Sequence, residues 1–336
     1  MSLVLFGVGT NISGMRKELL KIENLSVGYS QPICTRISTT VNEGELVGLA
    51  GRNGSGKSTL IKTLLGILPK KLGNIYLQGN EISSWDEQKR SKTISVVFSR
   101  LDQIPPVTVE ELVCLGRLPY KSWLTRLDSS DKKIVKEALE LVGIGDIKNK
   151  FASELSDGQL QMVMIARALA QQTQLVLLDE PTSHLDIENQ FKIFELIYRL
   201  SKETKKAFII SSHQIELLIQ NTTQLWWVNQ GEFFAGFPEK IVFEQKIFEK
   251  LSQEKIYFDY NSGKFEFQYP KNQTIHFETD GTSLAYWMKH ALERNGFSIV
   301  PNAKLELELE NNTFKINEHT FEDIQTTIEY LQQLNL

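Results

Sequence analysis

Segments that read as strands recur through the first two thirds of the chain, at residues 20–27, 33–41, 46–50, 94–98, 175–178 and 207–210, and those at 46–50, 175–178 and 207–210 are fully apolar. Segments with helical periodicity lie among them, for example at residues 57–65, 131–142 and 188–200. Buried strands that alternate with helices are typical of a parallel sheet with helices on its faces. The pattern therefore predicts an α/β domain over residues 19–252.

The segment around residues 105–165 interrupts this alternation. A Pro-Pro pair at 105–106 breaks the chain, and Thr108 followed by Glu111 has the capping-box spacing that opens a helix. We therefore expect a helix over residues 109–115. The whole segment is predicted to form a mainly helical subdomain inserted into the sheet domain.

Beyond about residue 252 the pattern changes. Strand-like alternation appears at residues 256–260, 264–269 and 305–310. Two amphipathic helices are predicted at residues 283–295 and 320–334, the second with Phe321, Ile324, Ile328 and Leu331 on one face. This pattern predicts a separate small α+β domain over residues 253–336, in which a strand–strand–helix unit occurs twice.

Length and charge narrow the class of protein. A chain of 336 residues exceeds the usual size of one domain, so two domains are expected. Hydrophobic residues make up 41% and charged residues 23%, as in an ordinary globular protein with a core. The net charge of −4 gives no electrostatic reason to expect nucleic-acid binding.

The N-terminus and the two cysteines give information about the cellular compartment in which the protein is expected. Residues 1–14 contain a short apolar patch without a preceding basic region, which argues against a secretory signal. We interpret residues 1–18 as an extension, either native or artificial, with Met15 as an alternative start. No apolar stretch reaches the roughly 18 residues that span a bilayer. Cys34 and Cys114 are too few for a disulfide framework or a zinc site, so a cytoplasmic protein is expected.

A phosphate-loop pattern directly follows the apolar run at residues 46–50. Residues 51–58 read GRNGSGKS and open a predicted helix, which is the context that this motif requires. Glycines let the backbone wind closely around phosphates, and the freed amides hold negative charge. Lys57 is expected to reach the β- and γ-phosphates of ATP, and Ser58 to bind Mg²⁺. The nucleotide-binding residues predicted here are Gly51, Asn53, Gly54, Ser55, Gly56, Lys57, Ser58 and Thr59.

A second acidic motif ends the apolar run at residues 175–178. Asp179 and Glu180 come at the carboxyl end of a predicted strand, which is the edge where open α/β sheets bind ligands. Asp179 is expected to hold Mg²⁺, through water. Glu180 is expected to act as general base on the attacking water.

Residues 155–159, LSDGQ, precede a helix predicted at residues 160–171 and lie about twenty residues before Asp179. This sequence closely resembles the signature of ABC (ATP-binding cassette) ATPases, usually written LSGGQ. Asp157 stands where the first of the two glycines is usual. The resemblance implies a P-loop NTPase cassette with a mostly parallel core sheet, an antiparallel β subdomain and a helical subdomain. It also implies that Ser156, Gly158 and Gln159 contact the γ-phosphate of ATP held by the opposite subunit.

Three further positions match the family pattern. The resemblance implies that Tyr29 stacks on adenine, that Asp186 ends a loop through which two subunits communicate, and that His213 is the switch histidine that contacts the γ-phosphate. With Lys57, Glu180 and His213 all present, a degenerate regulatory cassette is disfavoured.

One position departs from the family. ABC ATPases normally carry a glutamine directly after the strand at residues 94–98, where it contacts Mg²⁺ and couples to the membrane subunit. Here the alignment places Ser99 at that position. Either Ser99 acts through water, or Asp102 or Gln103 takes the place of the glutamine.

Residues 108–120 and 183–190 resemble the ATPases of iron–siderophore, haem and cobalamin importers. The resemblance implies an ATP-hydrolysing homodimer, closed head to tail around two Mg·ATP, on the inner face of the cell membrane. Its partners would be an integral-membrane permease and, indirectly, a substrate-binding protein, with no nucleic acid. The sequence does not identify the transported compound. It also leaves open whether residues 253–336 form a domain that stabilises the dimer or a passive appendage.

The alternative is a soluble ABC ATPase that acts on nucleic acid or ribosomes. Such proteins usually carry two cassettes in one chain, or long coiled coils within a cassette. The sequence has one uninterrupted cassette pattern and no excess of basic residues, so the importer interpretation is preferred.

Overall fold

A computed structural model describes residues 17–99, 106–121, 127–229, 231–245, 247–248, 256–260, 263–267, 269–278 and 281–334. The chain divides into two compact units, with the boundary after residue 246. Within the described residues, every helix is too short or too polar to span a bilayer. Residues 1–16 of the extension predicted at residues 1–18 lie outside the described residues, and Glu18 is already the first residue of a strand.

The first unit contains ten strands and eight α-helices among its described residues. The strands are β1 (Glu18–Gly28), β2 (Pro32–Asn42), β3 (Leu46–Gly51), β4 (Leu72–Leu77), β5 (Asn80–Glu81), β6 (Ile94–Phe98), β7 (Leu175–Asp179), β8 (Ala207–Ser211), β9 (Gln224–Asn229) and β10 (Glu232–Gly236). The helices are α1 (Lys57–Leu64), α2 (Glu87–Ser91), α3 (Val109–Cys114), α4 (Ser129–Val142), α5 (Asp157–Ala170), α6 (Ile187–Thr204), α7 (Ile215–Asn221) and α8 (Pro238–Gln245).

Two sheets organise this unit. The larger has the order β10-β9-β3-β8-β7-β6, in which β10 alone is antiparallel to its neighbour. The smaller is antiparallel, with the order β2-β1-β4-β5. Every residue of β3 and β8 is buried, as expected for central parallel strands covered on both faces. The predicted α/β class, with a mostly parallel core sheet and an antiparallel β subdomain, is confirmed.

The helical subdomain consists mainly of α3, α4 and α5. Thr108 caps α3 with a reciprocal capping box to Glu111, as predicted, but α3 ends at Cys114 and a 3-10 helix, Leu115–Tyr120, follows. The prediction that a helix starts at residue 160 is wrong. The Oγ atom of Ser156 accepts a hydrogen bond from the backbone amide of Gln159, so α5 already begins at Asp157 and the signature residues form its first turn.

A buried ion-pair network fixes the 3-10 helix to this layer. The Nε atom of Arg117 lies 3.0 Å from Oδ1 of Asp131, and its Nη1 atom donates to the carbonyl of Ala170 at 2.8 Å. Lys121 lies 2.5 Å from the other carboxylate oxygen of Asp131. Burial acts to raise the pKa of Asp131, but the hydrogen bonds from Lys121 and Arg117 outweigh it and leave this pKa below its usual value.

The second unit is a small α+β domain. Its strands are β11 (Ile256–Asp259), β12 (Lys264–Phe267), β13 (Gln273–Phe277), β14 (Phe297–Ile299), β15 (Glu306–Glu310), β16 (Thr313–Ile316) and β17 (His319–Phe321), and its helices are α9 (Ser283–Arg294) and α10 (Ile324–Gln333). Strands β11 and β12 form a hairpin, and the other five form a mixed sheet with the order β14-β13-β15-β16-β17. Its core combines sheet and helix residues, including Phe277, Met288 and Phe314.

Two predictions for this unit are wrong. The strand–strand–helix repeat is absent from the described residues, because β13 is joined to α9 and four strands separate α9 from α10. The last helix begins at Ile324 rather than at residue 320. Asp323 caps it by accepting a hydrogen bond from the amide of Thr326, while Phe321 pairs with Phe314 in the sheet.

We predict that Asp131→Asn destabilises the first unit by about 3–5 kcal/mol, because it leaves the buried guanidinium of Arg117 without its counter-charge. Urea unfolding followed by the fluorescence of the buried Trp226 and Trp227 measures the effect. Glu188→Gln, which removes an exposed pair with Lys192, is the control and should leave the unfolding free energy nearly unchanged, because solvent screens this pair. Equal losses for the two variants would contradict the prediction.

The same substitution has a predicted pH dependence. Since the pKa of Asp131 is lowered in the folded state, its stabilisation is present above the unfolded-state pKa and is lost as the pH falls through the folded-state pKa. The difference in unfolding free energy between the wild type and Asp131→Asn should therefore be constant near neutral pH and shrink below about pH 4. A difference that grows on acidification would contradict this.

Candidate active site

The loop between β3 and α1 has a conformation that requires glycine. Gly51 has φ +150°, and a Cβ atom added there would lie 2.0 Å from the carbonyl oxygen of Val228. Gly56 has φ +111°, in the left-handed region, directly before α1. Gly54, at φ +74°, faces open space. The loop therefore leaves its backbone open to a ligand at the N-terminus of a helix, where an anion is favoured.

Lys57 is folded back across this loop. Its side chain is buried, and its Nζ atom donates to the carbonyl oxygens of Gly51 at 2.9 Å and Arg52 at 3.2 Å. Burial lowers the pKa of Lys57, whereas the charges of Glu180 and Asp179 act to raise it. The Oγ atom of Ser55 is buried and has no hydrogen-bond partner among the described residues. A phosphate in the loop would supply acceptors for both groups.

Asp179 ends β7 beside the phosphate loop. Its Oδ1 atom accepts hydrogen bonds from the hydroxyl of Ser58 at 3.3 Å and from the hydroxyl of Ser211 at 2.7 Å. Ser211 also accepts a hydrogen bond from the backbone amide of Glu180 at 2.9 Å. The sequence analysis did not name Ser211. Its position at the end of a buried strand could have indicated its role, because β7 and β8 are parallel and Asp179 pairs with Ser211.

Glu180 and His213 meet at the same edge of the sheet. The Nε2 atom of His213 lies 2.7 Å from Oε1 of Glu180. The backbone of Glu180 has φ +53°, a left-handed conformation that is strained for a residue with a side chain. Such strain persists only where the surrounding structure holds it, as the hydrogen bond to Ser211 does here.

The oxygen atoms of this cluster fit a magnesium ion. Mg²⁺ prefers hard oxygen ligands and is commonly bound by one or two carboxylates, with waters and substrate phosphates completing the shell. Ser58 supplies a hydroxyl and Asp179 a carboxylate, and the two are in contact. The hydroxyl of Ser58 and the carboxylate of Asp179 are thus suitable Mg²⁺ ligands, and they lie together as the sequence analysis expected.

The signature residues lie at the N-terminus of α5. Ser156 and Gln159 close its first turn by a reciprocal capping box. Gly158 is buried, and a Cβ atom added there would lie 2.9 Å from the side chain of Asn189. Asp186 caps α6 and bonds both the backbone and the side chain of Asn189. Asn189, which the sequence analysis missed, therefore joins the signature helix to the Asp186 loop.

Several predicted residues stand outside the hydrogen-bonded cluster. Tyr29 is 54% exposed in the turn between β1 and β2, and Asn53 is exposed in the phosphate loop. Thr59 is buried in α1. Ser99 is half-buried directly after β6. Asp102 and Gln103, the other residues considered for its role, lie outside the described residues.

Two family models match the chain. Residues 34–183 match the ABC transporter family, and residues 272–332 match the iron ABC transporter C-terminal domain. An uncharacterised ABC transporter ATP-binding protein of Methanocaldococcus jannaschii is 32% identical over 286 residues, which cover 84% of this chain and 98% of that protein. The iron(3+)-hydroxamate import ATP-binding protein of Bacillus subtilis is 36% identical over 197 residues, 58% of this chain and 73% of that protein.

A solved structure agrees with these matches. The dimeric structure of a bacterial ABC transporter cassette has a TM-score of 0.57 and 26% identity, and the match covers 66% of this chain and 99% of that chain. The identity with the Methanocaldococcus protein extends over nearly the whole of that relative. This chain therefore belongs to the ATP-binding proteins of ABC transporters, is an ATPase of that family, and carries an iron ABC transporter C-terminal domain.

Proposed function

We propose that this chain is the ATP-hydrolysing subunit of an importer for iron–siderophore complexes. The observation that carries the proposal is the iron ABC transporter C-terminal domain at residues 272–332. The Bacillus subtilis relative, named for iron(3+)-hydroxamate import, supports the same substrate class. The sequence suggested haem and cobalamin as well, but the relatives described above carry no such name, so iron–siderophore import is preferred.

In the proposed reaction, the phosphate loop binds the triphosphate of ATP. The ammonium of Lys57 exchanges its two backbone carbonyl partners for the β- and γ-phosphates, and the loop amides with the N-terminus of α1 hold the remaining charge. Ser58 and Asp179 would hold Mg²⁺, which neutralises phosphate charge when it is bound. We assign Tyr29 to stacking on the adenine and the other loop residues to positioning the phosphates.

Glu180 is the proposed general base. A carboxylate at the end of β7, next to Asp179, is placed to accept a proton from water that attacks the γ-phosphate. The contact with His213 orients this carboxylate, and His213 is itself proposed to contact the γ-phosphate. Ser211 fixes the backbone amide of Glu180 and thereby the direction of its side chain.

The active site is proposed to be completed by a second copy. Ser156, Gly158 and Gln159 lie at a helix N-terminus, where the backbone amides and the helix dipole favour an anion. We therefore assign them to the γ-phosphate held by the opposite subunit. Asp186, joined to the signature helix through Asn189, is assigned to communication between the subunits. The dimeric structure of a related cassette supports this arrangement.

The proposed partners follow from the family. An ABC importer ATPase works with an integral-membrane permease, so we place this chain at the inner face of the membrane, with a substrate-binding protein as an indirect partner. The alternative, a soluble ABC ATPase acting on nucleic acid or ribosomes, has no observation in its favour. Affinity purification from detergent-solubilised membranes distinguishes the two. An integral-membrane partner supports the importer, and RNA or DNA supports the alternative.

We propose that the region from about residue 253 to 336 is an accessory domain that contributes subunit contacts. Its own core allows it to fold as a unit. Helix α9 also exposes two large aromatic side chains, Tyr286 at 46% and Trp287 at 61%, whose rings pack edge to face. Exposed aromatic residues of this kind are enriched at protein–protein interfaces.

The first prediction of the proposed function concerns the reaction. Glu180→Gln should lower ATP turnover by roughly 10²–10⁴-fold, because a positioned base is lost while the shape of the site is kept. ATP binding should remain, so an ATP-stabilised dimer should appear by size-exclusion chromatography. Turnover near the wild-type rate would show that Glu180 is not the base.

The second prediction concerns the transported compound. Cells that lack this chain should lose uptake of a radioiron-labelled ferric hydroxamate, and the wild-type gene should restore it. The Glu180→Gln variant should not restore it, because uptake requires hydrolysis. Haem and cobalamin uptake measured in the same cells are the controls. Normal ferric hydroxamate uptake with impaired haem or cobalamin uptake would contradict the siderophore assignment.

The third prediction concerns the accessory domain. A chain that ends at residue 252 should stay folded and bind ATP as the full chain does, because the two units have separate cores. Without nucleotide, the full chain should be dimeric and the truncated chain monomeric by analytical ultracentrifugation. The same number of subunits in both would contradict a role in dimerisation.

A further inference from the structure

A cavity of about 410 Å³ lies in the first unit at the amino ends of β7 and β8. The acidic pair lies at the other end of these strands, since Asp179 is the last residue of β7. One side of the cavity comes from α4 and α5, and the other from the residues that directly precede β7 and β8. Sites for small molecules have volumes of roughly 300–1,000 Å³, so the cavity is large enough for a ligand.

The helical side of the cavity is mainly apolar. Ile134, Ala138 and Leu141 share one face of α4, and Leu169 comes from the last turn of α5. Ala138 and Leu169 are buried, whereas Ile134 and Leu141 are only half-buried. Apolar surface that is still in contact with water gains free energy when a hydrocarbon group covers it. This side therefore favours a ligand with an apolar body.

The strand side presents hydrogen-bond donors. The Oε1 atom of Gln172 accepts a hydrogen bond from Nη1 of Arg117 at 3.1 Å, and Oε1 of Gln174 accepts one from Nε2 of Gln78. With its oxygen engaged, each glutamine of the lining keeps an NH2 group that has no acceptor among the described residues. Two amide donors are thus available at this wall.

Lys206 adds a positive charge to the same wall. It is half-buried, and its Nζ atom donates to the carbonyl of Thr173, which stands between the two glutamines in the chain. In the described part of the chain no carboxylate pairs with this ammonium, and burial lowers the pKa of Lys206 to about 8. A desolvated cation is unfavourable without a counter-charge, so an anion placed beside it would be stabilised.

The acidic residues of the lining do not supply that counter-charge. Glu43 and Glu137 each pair with a lysine outside the lining, namely Lys17 at 3.0 Å and Lys133 at 3.9 Å. Lys205, which also lines the cavity, has no carboxylate partner within the ranges that the structure describes. The charge that remains at the cavity is therefore positive, which favours an anionic ligand.

We propose that this cavity binds a small organic anion with one carboxylate and a hydrocarbon body. The carboxylate lies against Lys206 and the two glutamine amides, because hydrogen bonds to charged groups are the strong ones. The hydrocarbon body covers the apolar wall of α4 and α5. A bound anion thereby bridges the sheet and the helical subdomain, and it contacts the helix that begins with the signature residues. The inference does not depend on the proposed ATPase mechanism.

The test uses octanoate as the probe and the full chain without nucleotide, followed by isothermal titration calorimetry. We expect saturable binding at a single site. Octanamide has the same length but no charge, and it should bind at least about tenfold more weakly. Acetate has the carboxylate but almost no hydrocarbon body, and it should bind more than about a hundredfold more weakly. These comparisons need only the wild type.

A variant then locates the site. Lys206→Met keeps the aliphatic stem and removes the ammonium, so octanoate should bind at least about tenfold more weakly, with octanamide affinity within about twofold of the wild type. Lys202→Met, which changes an exposed lysine of α6 outside the lining, is the matched control and should leave octanoate affinity within about twofold. Melting temperatures verify that both variants are folded.

Three results would each overturn the proposal: no saturable binding of octanoate, octanamide binding as tight as octanoate binding, or unchanged octanoate affinity in folded Lys206→Met, which would place the probe elsewhere. Glu180→Gln should bind octanoate as the wild type does, while its ATP turnover is lost. Failure of this inference is therefore distinguishable from failure of the proposed function.

Discussion

The hydroxyl of Ser211 holds together the edge of the sheet that carries the acidic pair Asp179 and Glu180. It donates to Asp179 and accepts from the amide of Glu180, so one side chain fixes both members of the acidic pair. This is possible because β7 and β8 are parallel and in a register that places Asp179 opposite Ser211. The same alignment brings His213, two residues later, against the Glu180 carboxylate. Strand register therefore determines the site's geometry.

The phosphate-loop side of the site is built differently. There the loop is local, running from β3 to α1 within a few residues, and its shape depends on Gly51 and Gly56. Behind both parts lies the helical layer, whose position depends on the buried pair of Arg117 and Asp131 and on the cap at Ser156. The site thus depends on a rigid sheet edge, a glycine loop and a helix that begins at the signature.

How much the sequence predicts depends on how local each feature is. The phosphate loop, the strand before Asp179 and the Thr108 capping box were recognisable because their signals lie within a few residues. Ser211 and Asn189 were missed because their roles arise from strand pairing and helix contact between segments distant in the chain. No pattern in the sequence marks such a partner.

The second unit was harder to predict for a related reason. Its strands are only three to five residues long, and strands of that length carry little periodicity. At residues 320–324 an apolar spacing that suits a helix also suits the end of a strand followed by a cap. In the structure Phe321 pairs with Phe314 in the sheet, and Asp323 caps the helix that follows, so the segment ends a strand before the helix begins. Neither contact can be recognised from the local sequence pattern.

The left-handed backbone at Glu180 sets the stability of the fold against the proposed catalytic role of this residue. A glycine there would adopt φ +53° without strain, so the fold alone would favour losing the carboxylate. A change of Glu180 to glycine would therefore relieve backbone strain and, at the same time, remove the carboxylate proposed as the general base. At this one residue, the local preference of the backbone and the proposed chemistry of the side chain favour different amino acids.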